Sequence, residues 1–134
     1  MLQARAGLLA PRALSFPRKI TYNAAVPTPF YHLALAEDLL ADPRLPEETR
    51  RPLQAERPAF LLGNVAPDVQ TMSGQSRIAT HFFEVPERGN GGWAYDILLS
   101  KWPQLADPAL PLTQRAFLAG YACHLLLDQL WVRE

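Results

Sequence analysis

The sequence predicts an all-α fold, a multi-helix bundle of about five helices, and three observations support this class. Strand signals are nearly absent, because residues seldom alternate between apolar and polar and few are β-branched. Several segments instead repeat apolar residues at helical spacing behind a helix-start signal. With 134 residues, 49% of them hydrophobic, the chain is long enough for one domain with a substantial core, and its composition argues against disorder.

The first 25 residues differ in composition from the rest. They carry four basic residues and no acidic one, and their apolar run is too short for the core of a signal peptide. Because the whole chain has zero formal charge, the remaining residues carry four excess negative charges, which suits bound cations. We expect residues 1–25 to be a disordered or spurious extension, with a transit-like segment as the alternative, and residues 26–134 to form the helical domain.

The first helix of this domain is predicted to begin at the cap residue Thr28, which a proline follows, and to end before Pro43. His32 shares an apolar stripe with Leu35 and Leu39. His32 should therefore face the interior near the start of the helix.

The middle of the chain is divided by prolines. A second, short and charged helix is expected over residues 46–51, stopped by Pro52. A third begins at the next proline and is weakened at Gly63. Pro67 disfavours helix at the residue before it, so Asp68 should lie just beyond a break. A rigid turn of this kind suits a metal ligand.

Residues 72–111 are predicted to contain a loop, a histidine-bearing segment, a helix and a linker. Residues 72–77 read as a polar loop, and His81 then stands among aromatic residues with Glu84 three positions later. Residues 93–102 read as an amphipathic helix, and the proline-rich residues 103–111 link it to the last one.

The last helix, residues 113–134, carries the most informative pattern. Thr113 is expected to cap its start. One face of the helix should be buried, and it holds Phe117, Tyr121, His124, Asp128 and Trp131. Burying a carboxylate in an apolar seam costs several kcal/mol of folding free energy unless a cation or hydrogen-bond donor pairs with it. Because His124 and Asp128 are four residues apart, both can reach one point, where a divalent metal would satisfy both.

The chain has three histidines, and each lies in a hydrophobic segment. Any one alone could be a core histidine bonded to backbone. Together they indicate a zinc site, since imidazole and carboxylate ligands suit zinc without any thiolate. The candidate metal ligands are His32, Asp68, His81, His124 and Asp128.

Several function classes are not indicated. No apolar run is long enough to span a bilayer, and the zero net charge does not suggest a nucleic-acid surface. Cys123 is the only cysteine, so no intrachain disulfide is possible and nothing points to an oxidising compartment. We expect a cytoplasmic protein, and the sequence makes no prediction of its oligomeric state.

Four motifs resemble the zinc-dependent phospholipase C family, which is related in fold to the P1-type nucleases. The resemblance covers about residues 26–134, with the motifs in the family's order and at similar spacing. The motifs are TPFYH (28–32), FLLGNVAPD (60–68), THFFE (80–84) and FLAGYACHLLLD (117–128).

The resemblance implies an all-α bundle with a zinc cluster in a cleft. One zinc would be held by Asp68, His81, His124 and Asp128, and Asp128 would bridge to a second that His32 also binds. The family's N-terminal tryptophan ligand and its downstream third-zinc ligands have no match here, which supports two Zn²⁺ sites but not a third. The fold is then either a two-metal member or an incomplete, C-terminally truncated one.

The implied function is that of a zinc-dependent phosphodiester hydrolase acting on a phosphodiester or phospholipid. Asp68 would be catalytic, orienting the attacking water or accepting its proton. Glu84 is expected to accept a hydrogen bond from a ligand imidazole, with an ordinary exposed acid as the alternative. A non-catalytic zinc-binding helical module and a P1-like nuclease are the alternative functions.

Overall fold

The fold is organised around its last helix, which contacts most of the others. The structure is a computed structural model that describes residues 28–85 and 92–133; the predicted extension 1–25 lies outside them. The helices are α1 (Pro29–Ala41), α2 (Glu47–Ala55), α3 (Arg57–Val65), α4 (Gln70–Ser73), α5 (Arg77–His81), α6 (Ala94–Lys101) and α7 (Leu112–Arg133), with 3-10 turns at Ala66–Val69 and Pro103–Ala106. The described ranges hold no strand, and the predicted all-α class is confirmed.

Helices α3 and α7 approach until their backbones touch. A Cβ atom on Gly63 would lie 2.0 Å from the carbonyl oxygen of Phe117, and one on Gly120 would lie 2.1 Å from that of Phe60. Only glycine fits at either position. Gly63, expected to weaken α3, therefore lies inside the helix, and the close crossing offsets its low helix propensity.

Two apolar clusters pack against α7. The first joins α1, α3 and α7 through Ala36, Leu40, Phe60 and Ala116. The second joins α6 and α7 with Phe83, through Ala94, Leu98 and Leu125. The interior also holds many polar side chains that are at most 1% exposed: His32, Asn64, His81, His124, Asp128 and Gln129. Such groups need partners, so the interior is built around a polar site.

The first helix follows its prediction. It begins at Pro29, and the hydroxyl of Thr28 accepts a hydrogen bond from the backbone N–H of Tyr31 at 3.4 Å. His32 is fully buried on its inner face.

Pro52 does not stop the second helix, contrary to the prediction. The helix α2 continues through it to Ala55. A proline inside a helix leaves the carbonyl four residues earlier without its N–H. Here that residue is Glu48, which is exposed, so water can satisfy its carbonyl.

Two other boundaries also differ from their predictions. Thr113 does not cap α7, because the helix begins one residue earlier and the Thr113 hydroxyl donates to Glu56 at 2.9 Å. The expected loop over residues 72–77 begins inside α4, which ends at the left-handed Gly74. None of the helices in the described ranges is long and apolar enough to cross a membrane.

Candidate metal centre

The five candidate ligands come from four separate elements, and the fold brings them together. His32 lies on α1, Asp68 on the 3-10 turn after α3, His81 at the end of α5, and His124 and Asp128 on α7. The three histidines are 0% exposed and Asp128 is 1% exposed, whereas Asp68 is 14% exposed. Asp68 therefore marks the side of the site that faces solvent.

Four donor atoms lie close together: the Nε2 atoms of His81 and His124 and one oxygen each of Asp68 and Asp128. Those of His81, His124 and Asp128 form a group that could hold one metal ion. The two nitrogens are 3.1 Å apart. The Asp68 oxygen lies 3.4 Å from His81 and 3.7 Å from His124, and the Asp128 oxygen lies 3.6 Å and 3.7 Å from the same two atoms. A tetrahedral zinc with ligand bonds of about 2.0–2.1 Å would place its donors about 3.3–3.4 Å apart.

The protonation of His124 is determined by its other ring nitrogen. Its Nδ1 lies 2.7 Å from the backbone carbonyl of Asn64, which can only accept, so Nδ1 carries the proton and Nε2 keeps a lone pair. Burial, followed by repulsion from His32, lowers the pKa of His124 to about 4. The ring is therefore neutral at pH 7, as a metal ligand must be.

His81 is held in the same tautomer. Its Nδ1 lies 2.9 Å from the hydroxyl of Thr80, and that hydroxyl donates to the carbonyl of Arg77 at 3.3 Å. The hydroxyl proton is thus engaged elsewhere, so the oxygen accepts from Nδ1 and the Nε2 lone pair faces the site.

Two imidazole lone pairs and two carboxylate oxygens thus face one another in a buried space. Such a set repels itself unless a cation lies at its centre. Among the described residues, Oδ2 of Asp68 is also buried without a hydrogen-bond partner. The donor set, its spacing and its orphaned oxygen all fit a zinc ion.

The second oxygen of Asp128 faces away from this cluster. Its Oδ1 accepts from Nε2 of His32 at 3.0 Å, and the His32 ring stacks on that of His124 with centroids 3.7 Å apart. Nδ1 of His32 is buried and has no partner in the part of the chain that the structure describes. His32, Asp68 and His124 form a second group of donor atoms close enough to hold a metal ion.

The carboxyl of Asp128 stays ionised despite its burial. Burial raises its pKa, but the pKa is lowered overall, because the hydrogen bonds from His32 and Arg77 favour the ionised form. Asp128 can therefore serve as an anionic ligand through either oxygen.

Glu84 does not occupy the place expected for it. The structure places Thr80 against Nδ1 of His81, and Phe82 then adopts a left-handed conformation with φ of 61°, which turns the chain after α5. Beyond this turn Glu84 is exposed. Of the two expectations for Glu84, this position matches the ordinary exposed acid.

Three contributors to the site were not predicted from the sequence: Asn64, Arg77 and Thr80. Asn64 acts through its main-chain carbonyl, which is available because α3 ends at Val65 and the last carbonyls of a helix have no partner within it. The break predicted at Pro67 indicated that nearby carbonyls would lack helical partners, but not which group they would contact. Thr80 and Arg77 carried no signal beyond their closeness to His81 in the chain.

One of three comparisons with known proteins identifies a family for this chain. The family model described as "Zinc dependent phospholipase C" matches residues 31–131. A search of curated proteins and a search of solved structures each found no match. The family's description indicates zinc dependence, and the described histidines and aspartates form groups that could bind a metal. The chain belongs to the zinc-dependent phospholipase C family.

Proposed function

We propose that this domain hydrolyses the phosphodiester bond of a phospholipid with the help of two zinc ions. Asp68, His81, His124 and Asp128 would hold the first zinc. The observation that carries the proposal is the close approach of four lone-pair donors, 3.1–3.7 Å apart over the five measured pairs. A buried set of this kind is hard to explain except as a metal site.

Asp128 would bridge to a second zinc that His32 also binds. Its two oxygens face different partners, Oδ1 towards His32 and Oδ2 towards His81 and His124. This split supports a bridging role, because a carboxylate can place one oxygen on each of two ions.

Bound zinc would supply a water of lowered pKa and would offset the negative charge on the phosphoryl oxygens. Asp68 is the residue suited to handle the proton of that water. It is the most exposed of the five, and its Oδ2 is buried with no partner among the residues described. That oxygen is free to accept a hydrogen bond from the water or to take its proton.

The two imidazoles are already oriented for metal binding by hydrogen bonds to their Nδ1 atoms. His124 is fixed by the carbonyl of Asn64, and His81 by the hydroxyl of Thr80. Neither ring has to rotate or change tautomer to present Nε2. Partners of this kind typically account for about 10–100-fold in metal affinity or activity.

The test combines metal analysis with an assay on a chromogenic phosphodiester. We expect the purified wild-type chain to contain zinc by mass spectrometry and to hydrolyse the substrate. His124→Ala and Asp128→Ala should lose both zinc and activity, because each removes a donor atom from the buried cluster. Full activity in either variant would falsify the proposal.

A second pair of variants separates the role of Asp68 from metal binding. Asp68→Asn keeps one ligand oxygen but cannot take a proton, so turnover should fall about 100-fold or more while zinc is largely retained. The matched control is Asp96→Asn, an exposed position on α6, which should leave both unchanged. Zinc binding without hydrolysis would indicate a non-catalytic module, and cleavage of single-stranded nucleic acid alone would indicate a nuclease.

A further inference from the structure

Arg77 contacts the candidate metal centre but is not one of its five candidate ligands. It is the first residue of α5, one helical turn before His81, so the same short helix presents both side chains. Its Nη2 donates to Oδ2 of Asp128 at 2.5 Å. Arg77 therefore forms a charged hydrogen bond with a carboxylate that is 1% exposed.

The Arg77 guanidinium lies at the edge of the site rather than in the protein interior. The side chain is 22% exposed, and its guanidinium carbon lies 5.2 Å from the centre of the Phe83 ring. Its Nε is buried and has no hydrogen-bond partner within residues 28–85 and 92–133. The group thus has donors that Asp128 does not use and access to solvent.

Arg77 donates to the same Asp128 oxygen that faces the two ligand imidazoles. Oδ2 of Asp128 lies 3.6 Å from Nε2 of His81 and 3.7 Å from Nε2 of His124. A metal held by those nitrogens would need the same oxygen. Two cations at one oxygen repel each other strongly where little water screens them, so the guanidinium and the metal compete.

We propose that Arg77 is the internal cation of the metal-free site and an oxyanion-binding group of the metal-loaded site. Without metal, the guanidinium compensates the buried charge of Asp128, which would otherwise be costly. When metal takes Oδ2, the guanidinium moves to the exposed edge, where its planar N–H groups suit the paired oxygens of a phosphate. The inference rests on the proposed zinc site and adds to it a residue that recognises the anionic part of the substrate.

The first arm of the test measures zinc affinity by competition with a chromogenic chelator. Arg77→Met removes the competing charge at similar length, so zinc should bind about tenfold more tightly than in the wild type. Arg77→Lys keeps the charge and should stay close to the wild type. Arg115→Met, at an exposed position on α7, is the matched control and should change nothing. Equal or weaker zinc binding in Arg77→Met overturns the first half of the proposal.

The second arm titrates inorganic phosphate into the zinc-loaded proteins by calorimetry. Phosphate should bind about tenfold more weakly to Arg77→Met, and also more weakly to Arg77→Lys, which lacks the planar fork. Arg115→Met should bind it as the wild type does. Equal phosphate affinity in wild type and Arg77→Met overturns the second half.

The outcomes also separate this inference from the proposed function. A wild-type chain that takes up no zinc contradicts the proposed zinc site itself. A wild-type chain that binds zinc and hydrolyses the phosphodiester, with no effect of Arg77→Met on zinc or phosphate, contradicts only the role of Arg77. A change in affinities without any hydrolysis supports Arg77 and contradicts the catalytic proposal.

Discussion

At the scale of single residues, the candidate site depends on groups that hydrogen-bond to the ligands or to the ligands' partners. Tyr121 is an example, since its hydroxyl donates to the backbone carbonyl of Thr80 at 2.7 Å. The hydroxyl of Thr80 in turn contacts His81. Tyr121 therefore connects α7 to the end of α5, where His81 is held.

Replacing Tyr121 by phenylalanine should lower the free energy of unfolding by about 1 kcal/mol, because the Thr80 carbonyl loses its donor. Burial raises the pKa of Tyr121 to about 12. Its neutral form is thus favoured by folding, so this contribution to stability is complete below pH 10 and is lost as the pH rises towards 12. Urea unfolding at pH 8 and an alkaline absorbance titration test both parts.

In that titration the wild type should show one late tyrosine transition that Tyr121→Phe lacks. Tyr95→Phe, on α6, serves as the control and should keep the late transition. If the Tyr121→Phe variant still shows the late tyrosine transition, that transition does not belong to the Tyr121 hydroxyl.

The ligands themselves could be predicted from residue types, whereas their partners could not. His124 and Asp128 stand out because polar side chains at helical spacing share a face with Phe117 and Tyr121. The carbonyl that orients His124 belongs to Asn64, sixty positions away. A main-chain carbonyl has no residue type to mark it, so only the folded chain reveals this contact.

At the scale of the elements, the crossing of α3 and α7 aligns the site. Gly63 and Gly120 allow the two backbones to touch, and Asn64 and His124 lie within one turn of this contact. The distance between the Asn64 carbonyl and the His124 ring therefore depends directly on how closely the helices approach.

Gly120→Ala should destabilise the fold by about 3 kcal/mol or more, because the new methyl meets the main chain of α3 rather than a movable side chain. The helices must separate, so zinc affinity should fall as well. The control is Gly74→Ala: Gly74 has a φ of 74° with nothing within 4 Å of an added Cβ, so only about 1 kcal/mol of backbone strain is expected. Urea unfolding and chelator competition measure the two effects, and equal losses in both variants would contradict the role of the crossing.

The boundaries of the elements show where local signals are overridden. The Thr-Pro signal at Thr28 predicted the start of α1 correctly, because Thr28 caps the helix and Pro29 opens it. Pro52 failed as a stop, since α2 is exposed and water can satisfy the freed carbonyl. Thr113 failed as a cap, since its hydroxyl pairs with Glu56 instead, 57 residues away. Both misses reflect surroundings that local sequence does not contain.

At the scale of the whole molecule, a metal at this site would link elements from both halves of the described chain. The five candidate ligands join α1, the turn after α3, α5 and α7. The all-α class could be predicted from the absence of strand patterns. The arrangement of the helices could not, because the glycine-to-glycine crossing depends on the fit of two distant surfaces.

Zinc should therefore stabilise the whole domain. At a free concentration about 100 times its Kd, a ligand that binds only the folded state adds about 2.7 kcal/mol. For a chain of this size we expect Tm to rise by roughly 10 °C, and EDTA should reverse the rise. Thermal unfolding followed by circular dichroism measures it. An equal rise in His124→Ala would show that zinc acts elsewhere on the protein.

The contact between Asn64 and His124 also constrains the order of events during folding. These residues are sixty positions apart, and His32 and Asp128 are separated by 96. Closing a loop of that length costs entropy before any long-range contact forms. We expect the docking of α3 on α7 to offset that cost before the donor atoms meet. We therefore expect zinc to bind late, to a chain in which these helices have already docked, rather than to serve as the nucleus of folding.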